Sequence, residues 1–103
     1  IGSGNMVHNL RMVAWNKLSE PEFGYDWALE MNAIFKQKIS TRNHVDLIAY
    51  EKLSKAASLA IPTPDHYYPL LYILALQTDT DAVEFFNDKA VGGSLTMTSV
   101  KIG

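Results

Sequence analysis

Residues 66–77 read HYYPLLYILALQ and contain the longest apolar run of the chain, residues 70–76. It predicts a helix from about His66 to Gln77, because its one proline, Pro69, falls near the first turn, where a missing N–H breaks no helical hydrogen bond. Apolar residues occupy every side of this helix, so we expect it to be buried all round. Such a helix needs structure packed against both flanks, which is more than a chain of 103 residues readily supplies.

The segments before this helix predict two further helices. Asp26 can cap the first one, which carries an apolar stripe at helical spacing: Trp27, Met31, Ile34, Phe35 and Ile39. Asn43 can cap the second one, on which we expect the following residues to face inward: Val45, Ile48, Leu53, Ala56 and Leu59. The link over residues 61–65, IPTPD, is expected to be extended, because each proline restricts its own backbone and that of the residue before it.

The end of the chain predicts two strands. Residues 83–86 (VEFF) and 94–100 (SLTMTSV) form short runs that alternate in character, and Gly92 and Gly93 separate them. Helices followed by terminal strands predict an α/β fold in which a sheet packs against helices.

The composition narrows the possible partners. Hydrophobic residues make up 48% of the chain and charged residues 19%, as in an ordinary globular domain. A net charge of -2 argues against nucleic acid or a membrane surface as the partner, and no apolar run is long enough for a membrane span. Cysteine is absent, which excludes disulfides and thiolate metal sites and favours a cytoplasmic protein.

The histidines His8, His44 and His66 are the candidate metal ligands of the nitrogen type. Taken alone, each is more often a hydrogen-bonded structural residue than a ligand. His44 lies among helix-capping residues, so we expect it to be a surface histidine.

The motifs around His8 and His66, together with the last residues of the chain, favour a functional role for these two histidines. Residues 2–11 (GSGNMVHNLR), 62–72 (PTPDHYYPLLY) and 93–103 (GSLTMTSVKIG) resemble, in this order, the class III extradiol ring-cleavage dioxygenases of the 4,5-DOPA dioxygenase branch. Together with the Trp27 helix, the resemblance covers essentially the whole chain, although residues 36–59 contribute little to it. It implies an α/β/α sandwich, of which residues 1–103 would be the carboxy-terminal portion of a single catalytic domain, with the amino-terminal half missing. The opening, residues 1–5, fits that view, since it reads like the end of a strand that enters a glycine loop.

The resemblance also implies the chemistry of the site. The family's active site holds a divalent non-haem metal, with Fe(II) expected here and Zn(II) as an alternative; His66 matches a metal ligand and His8 matches a second-sphere acid–base residue. Histidine at position 66, where the wider class often has a carboxylate, implies an all-histidine site. The other two ligands come from the amino-terminal half, and His44 matches neither. Asn5 and Asn9 are candidates to hydrogen-bond the substrate or His8, with capping of the loop as the alternative.

The implied function is extradiol ring opening of a DOPA-like catechol with molecular oxygen, catalysed by the intact parent protein. This chain alone would be inactive. A metal with open coordination positions makes the reaction intramolecular, and a histidine that titrates near neutrality can accept and return a proton. Tyr67 and Tyr68 either line the pocket or pack in the core. One alternative is a non-catalytic interaction module, which associates through its apolar face with itself or with the missing half. Another is a small domain that binds a metal through all three histidines.

Overall fold

The structure, a computed structural model, describes residues 1–103 and consists of helices followed by strands. The α-helices are α1 (Asp26–Ser40), α2 (His44–Ile48), α3 (Ala57–Ala60) and α4 (Tyr68–Ala75). Short 3-10 helices occupy Leu10–Met12, Trp15–Lys17, Tyr50–Lys52 and Pro64–His66. The strands are β1 (Val83–Phe86), β2 (Ala90–Val91), β3 (Leu95–Thr96) and β4 (Ser99–Ile102).

The first predicted helix, α1, is confirmed. Its inward stripe includes Met31, Phe35 and Ile39, all fully buried, as the helical spacing predicts. The predicted cap is wrong: Tyr25 occupies the capping position with extended backbone and makes no side-chain cap. Asp26 lies instead in the first turn, where its negative charge complements the positive end of the helix dipole.

The second predicted helix is divided into α2, a 3-10 turn and α3. Asn43 caps α2 as expected, because its Oδ1 accepts a hydrogen bond from the backbone N–H of Asp46 at 3.2 Å. The predicted inward face is wrong for Val45 and Ile48, which are 76% and 64% exposed, whereas Leu47 is fully buried. It is correct for Ala56, which is buried in the core, and Leu53 packs against that core. The backbone leaves the helical conformation at Ala49, so a helical repeat drawn through that residue assigns the wrong face.

The third predicted helix is shorter than expected, and within these 103 residues it is buried on one side only. It begins at Tyr68, and the residues before it form the 3-10 helix Pro64–His66 where an extended link was expected. Leu74 is the one buried residue of α4, whereas Tyr72 is 74% exposed and Leu76 is 77% exposed. The physical reason is that these 103 residues pack against one side of α4 and leave the other side open.

The strands form two small antiparallel pairs. β1 pairs with β4, with Val83 opposite Ile102, and β2 pairs with β3, with Val91 opposite Leu95. The predicted strand over residues 94–100 is therefore two strands, because the chain leaves β2 after Thr96 and joins β1 from Ser99 onward. The mixed α/β class, with helices preceding strands, is confirmed.

A core of buried residues joins the glycine loop to the helices. Its members are Met6, Val7, Ala28, Met31, Phe35, Ile39, Leu47, Ala56, Ala57, Ala60, Ile61, Tyr67 and Leu74. Within it the hydroxyl of Tyr67 donates a hydrogen bond to the backbone carbonyl of Leu47 at 2.6 Å, and burial raises the pKa of this phenol. None of the helices has the length and apolarity that a bilayer crossing requires.

Candidate functional site

The imidazoles of His8 and His66 lie directly against one another. Their ring centroids are 3.7 Å apart and their planes differ by 18°, which is a stacked arrangement. His8 is half-buried and follows the glycine loop, whereas His66 is exposed and ends the 3-10 helix before α4. The structure therefore brings together the two histidines that the motifs singled out.

The backbone around His8 is held from two sides. The N–H of His8 donates to the carbonyl of Ala60, at the end of α3, at 2.8 Å. On the other side, Leu95 forms an isolated β-bridge with His8, and Asn9 N–H donates to the carbonyl of Ser94 at 3.1 Å. The buried hydroxyl of Ser94 returns a bond to the carbonyl of Asn9 at 2.6 Å, so the terminal segment fixes the main chain on which His8 stands.

The glycine loop holds the backbone of His66. Asn5 N–H donates to the carbonyl of His66 at 2.8 Å. A Cβ on Gly4 would lie 2.2 Å from that same carbonyl oxygen, closer than any side chain can approach, so this position needs glycine. Tyr67, the next residue, is anchored in the core, and the backbone of His66 is thereby fixed on both sides.

The side chains of the two asparagines of the first motif, Asn5 and Asn9, donate hydrogen bonds to backbone carbonyls. The amide of Asn5 donates to the carbonyl of Thr96 at 2.8 Å, and that of Asn9 donates to the carbonyl of Leu59 at 2.9 Å. The loop-capping alternative is therefore the one that the structure supports for both. Tyr67 belongs to the core rather than to a pocket, and Tyr68, which is 46% exposed, lines neither of the pockets described below.

The electrostatics of the pair favour neutral imidazole at His8. Burial of the ring, and secondarily the nearby charge that His66 acquires when protonated, lower the pKa of His8 below its ordinary value of 6.5. At neutral pH this ring is therefore uncharged and can accept a proton. No other residue makes a hydrogen bond to the ring of His8 or of His66. His44 differs from both, because its Nε2 lies 2.8 Å from the side-chain oxygen of Gln77.

An open pocket lies in front of the stacked rings. It has a volume of about 410 Å³ and is lined by His8, Asn9, Leu10, Arg11, Pro62, Thr63 and His66. A second groove of about 550 Å³ lies between the glycine loop, α4 and β4, and His66 lines it as well. His66 thus borders both cavities.

The donor set fits one contributed metal ligand, not a complete site. No three side chains of the types His, Cys, Asp or Glu lie close enough together to hold a metal ion, so the proposed site of three histidines is wrong. An imidazole binds a metal through a nitrogen lone pair in the ring plane, at about 2.0–2.1 Å. Because the two rings are stacked nearly parallel, an ion in the plane of one lies outside the plane of the other. The pair suits one ligand with a neighbouring ring.

Sequence reasoning did not single out Ser94 or Arg11. Ser94 lies within the terminal motif and Arg11 within the first motif, but neither spacing nor residue type distinguishes them from their neighbours. Their places against Asn9 and on the pocket wall are visible only once the chain has folded.

Comparison with known proteins first identifies the fold. A comparison with protein-family models found no match. The crystal structure of an uncharacterized protein from Escherichia coli K12 superposes with a TM-score of 0.85 and 35% identity, over 98% of this chain and 41% of that one. The two chains therefore share their fold over nearly all of the present sequence.

A curated relative makes the class specific. The 4,5-DOPA dioxygenase extradiol of Escherichia coli K12 is 37% identical over an alignment of 106 positions, which covers 100% of this chain and 38% of the relative. The chain thus spans well under half the length of the proteins it matches. The resemblance that the motifs indicated is confirmed: this chain is similar along its entire length to an extradiol dioxygenase.

Proposed function

We propose that this chain is the carboxy-terminal portion of the catalytic domain of a metal-dependent extradiol dioxygenase, which opens a DOPA-like catechol with molecular oxygen. The observation that carries the proposal is the stacked pair of His8 and His66 beside an open pocket. The pair occurs in a chain that is 37% identical to a dioxygenase of this kind.

His66 is assigned as a ligand of the divalent non-haem metal, with Fe(II) as the expected ion and Zn(II) as the alternative. Its ring is exposed, makes no hydrogen bond to another residue and borders both the pocket and the groove, so donors from outside these residues can approach it. When bound, such a metal supplies open coordination positions at which a catechol and dioxygen are held together. The remaining ligands are proposed to come from the amino-terminal half of the domain.

His8 is assigned as the residue that moves the proton. Its ring is half-buried, uncharged at neutral pH and placed on a backbone that hydrogen bonds hold from two sides. A neutral imidazole in that position can accept a proton from a catechol hydroxyl and later return it to an oxygen atom that derives from dioxygen, which would assist cleavage of the O–O bond. The nearly parallel stack supports this division of roles, because it would place His8 beside the proposed ligand without directing its ring at the same ion.

The alternative of an interaction module rests on a separate observation. The outer face of α4 exposes the large apolar side chains of Tyr72 and Leu76, which a folded domain usually covers. In the proposed enzyme the missing half covers this face; in the alternative, a second copy or another protein does so.

The proposal is tested on the full-length protein that contains this sequence. After anaerobic loading with Fe(II), the protein is mixed with L-DOPA and ¹⁸O-labelled dioxygen, and the product is examined by mass spectrometry. We expect metal-dependent oxygen uptake and a product that contains both labelled oxygen atoms. A metal-loaded, folded protein that consumes no oxygen with any catechol would refute the proposal.

The isolated chain provides the matched control. Because His66 offers only one ligand and His44 is engaged by Gln77, we expect residues 1–103 alone neither to bind Fe(II) tightly nor to turn over catechols. Robust turnover by this fragment would mean that the site has been assigned incompletely.

A further inference from the structure

We propose that Arg11 determines substrate specificity by binding an anionic group on the side chain of the catechol. The inference rests on the proposed function and deepens it, because it assigns the residue that recognises the carboxylate of a DOPA-like catechol. It begins from the wall of the pocket that contains both stacked histidines.

The backbone of Arg11 is fixed relative to His8. Asn9, which is 7% exposed, accepts a hydrogen bond from Arg11 N–H through its Oδ1 at 3.1 Å. The amide nitrogen of the same side chain donates to the carbonyl of Leu59 at 2.9 Å. Asn9 thus joins the 3-10 helix Leu10–Met12 to the end of α3, and Arg11 begins from a defined position three residues beyond the proposed proton carrier.

The charge of Arg11 has no partner within the chain. The two ion pairs of the structure join Lys36 to Asp88 and Lys38 to Asp46, and neither involves Arg11. Arg11 is the one permanently charged residue of the pocket wall, and that wall contains no carboxylate. A guanidinium presents five N–H donors in a planar fork, which matches the two oxygens of a carboxylate.

The shape of a catechol places the two interactions at opposite ends. Its hydroxyls lie side by side on one edge of the ring, so a substituent across the ring points away from the hydroxyls. With the hydroxyls held at His8 and the proposed metal, Arg11 is the charged group of the same pocket wall that is available to a substituent on the far side of the ring. The pocket therefore favours a catechol with an anionic substituent across the ring over one with a neutral substituent.

The test compares two ligands on three forms of the metal-loaded, full-length protein kept free of oxygen. The ligands are 3-(3,4-dihydroxyphenyl)propanoate and its neutral amide, which have the same length. The proteins are the native form, Arg11→Gln and Arg11→Lys, and isothermal titration gives each dissociation constant. Lys52→Gln, which removes an exposed cation that does not line the pocket, serves as the matched control.

We expect Arg11→Gln to weaken binding of the carboxylate about tenfold or more, as for the loss of a hydrogen bond to a charged group, and to change binding of the amide less than about twofold. Arg11→Lys should recover part of the loss, because it keeps the charge but not the fork. Lys52→Gln should bind both ligands as the native protein does. Equal effects of Arg11→Gln on the two ligands, or no effect on either, would overturn the inference.

The same preparations separate this inference from the proposed reaction. If the native protein prefers the carboxylate through Arg11 but opens no catechol in air, the inference stands and the reaction is wrong. If it opens both catechols and Arg11→Gln affects them alike, the reaction stands and the role of Arg11 is wrong.

Discussion

Two regions of the molecule meet at residues 66–68, and they differ in how many of their polar groups and apolar side chains find partners within this chain. The first is the histidine junction, which we define as residues 4–9, His66 and residues 94–96. Its backbone groups are joined by hydrogen bonds, and its glycine loop touches the carbonyl of His66 closely. The second is the outer face of α4, defined by Tyr68, Tyr72 and Leu76, which has apolar side chains and little contact with the rest of the chain. The difference indicates that these residues form the junction by themselves, whereas they leave the α4 face uncovered.

The largest expected effect on the junction comes from Gly4→Ala. The added methyl would collide with the carbonyl oxygen of His66, which is backbone and cannot swing aside. We expect the loop to move and the free energy of unfolding to fall by about 1–3 kcal/mol, the usual cost of overpacking. Denaturant unfolding measures this change, and contacts between the two imidazoles in NMR spectra should weaken. Ser3→Ala, at the exposed neighbouring position, is the control and should leave both unchanged.

A smaller effect is expected from Ser94→Ala. This change removes the hydroxyl that donates to the carbonyl of Asn9 but leaves the backbone pairing of the same residues. We expect a loss of about 1 kcal/mol in the free energy of unfolding, as for one hydrogen bond. In the full-length enzyme, turnover should fall while metal content stays full, because the backbone carrying His8 is less firmly held.

The control for that experiment is Ser58→Ala, which alters an exposed serine with only a long bond of 3.5 Å to Lys55. It should change neither stability nor turnover. If Ser94→Ala behaves in the same way as Ser58→Ala, the terminal segment does not position His8.

The smallest effect on stability is expected from Leu76→Lys on the α4 face. Because this side chain is 77% exposed, the free energy of unfolding should change by less than about 0.5 kcal/mol. Self-association of the isolated chain, measured by light scattering over a range of concentrations, should weaken about tenfold, since an apolar contact is lost. Val45→Lys, at a site that is 76% exposed on α2, is the control and should not alter association. A chain that is monomeric at every concentration before mutation would remove the reason for assigning an interface here.

The fold could be predicted from the sequence where the pattern of apolar residues is continuous, and not where the packing partner of an element decides its burial. Helix α1 was predictable because one apolar stripe continues without interruption through its 15 residues. The inward face of α2 was not predictable, because the helical phase changes at Ala49, where neither glycine nor proline marks the break. One repeat through residues 43–59 therefore fits Ala56 but not Val45 or Ile48. The apolar composition of α4 predicted that both of its sides would need cover, but it did not predict which side these residues leave exposed, because that depends on what packs against the helix.

The site shows a similar division. The motifs singled out His8 and His66, but no periodicity relates residues so far apart in the chain. Their stacking results from the loop that runs back along His66, where Asn5 N–H meets its carbonyl and Gly4 permits the approach. Arg11 was missed because the charge of an arginine carries functional meaning only when its neighbours are known.

The central claim is that His66 binds the metal while His8 moves the proton, and one paired measurement tests it most directly. Metal content and catechol turnover are determined on the same preparations of full-length His8→Ala and His66→Ala. The account predicts that His66→Ala loses its metal, because a ligand is removed from a site of few donors. His8→Ala should keep its metal and lose about a hundredfold or more in turnover, the scale of a missing acid–base group. Loss of the metal from His8→Ala, or full metal occupancy in His66→Ala, would contradict the account.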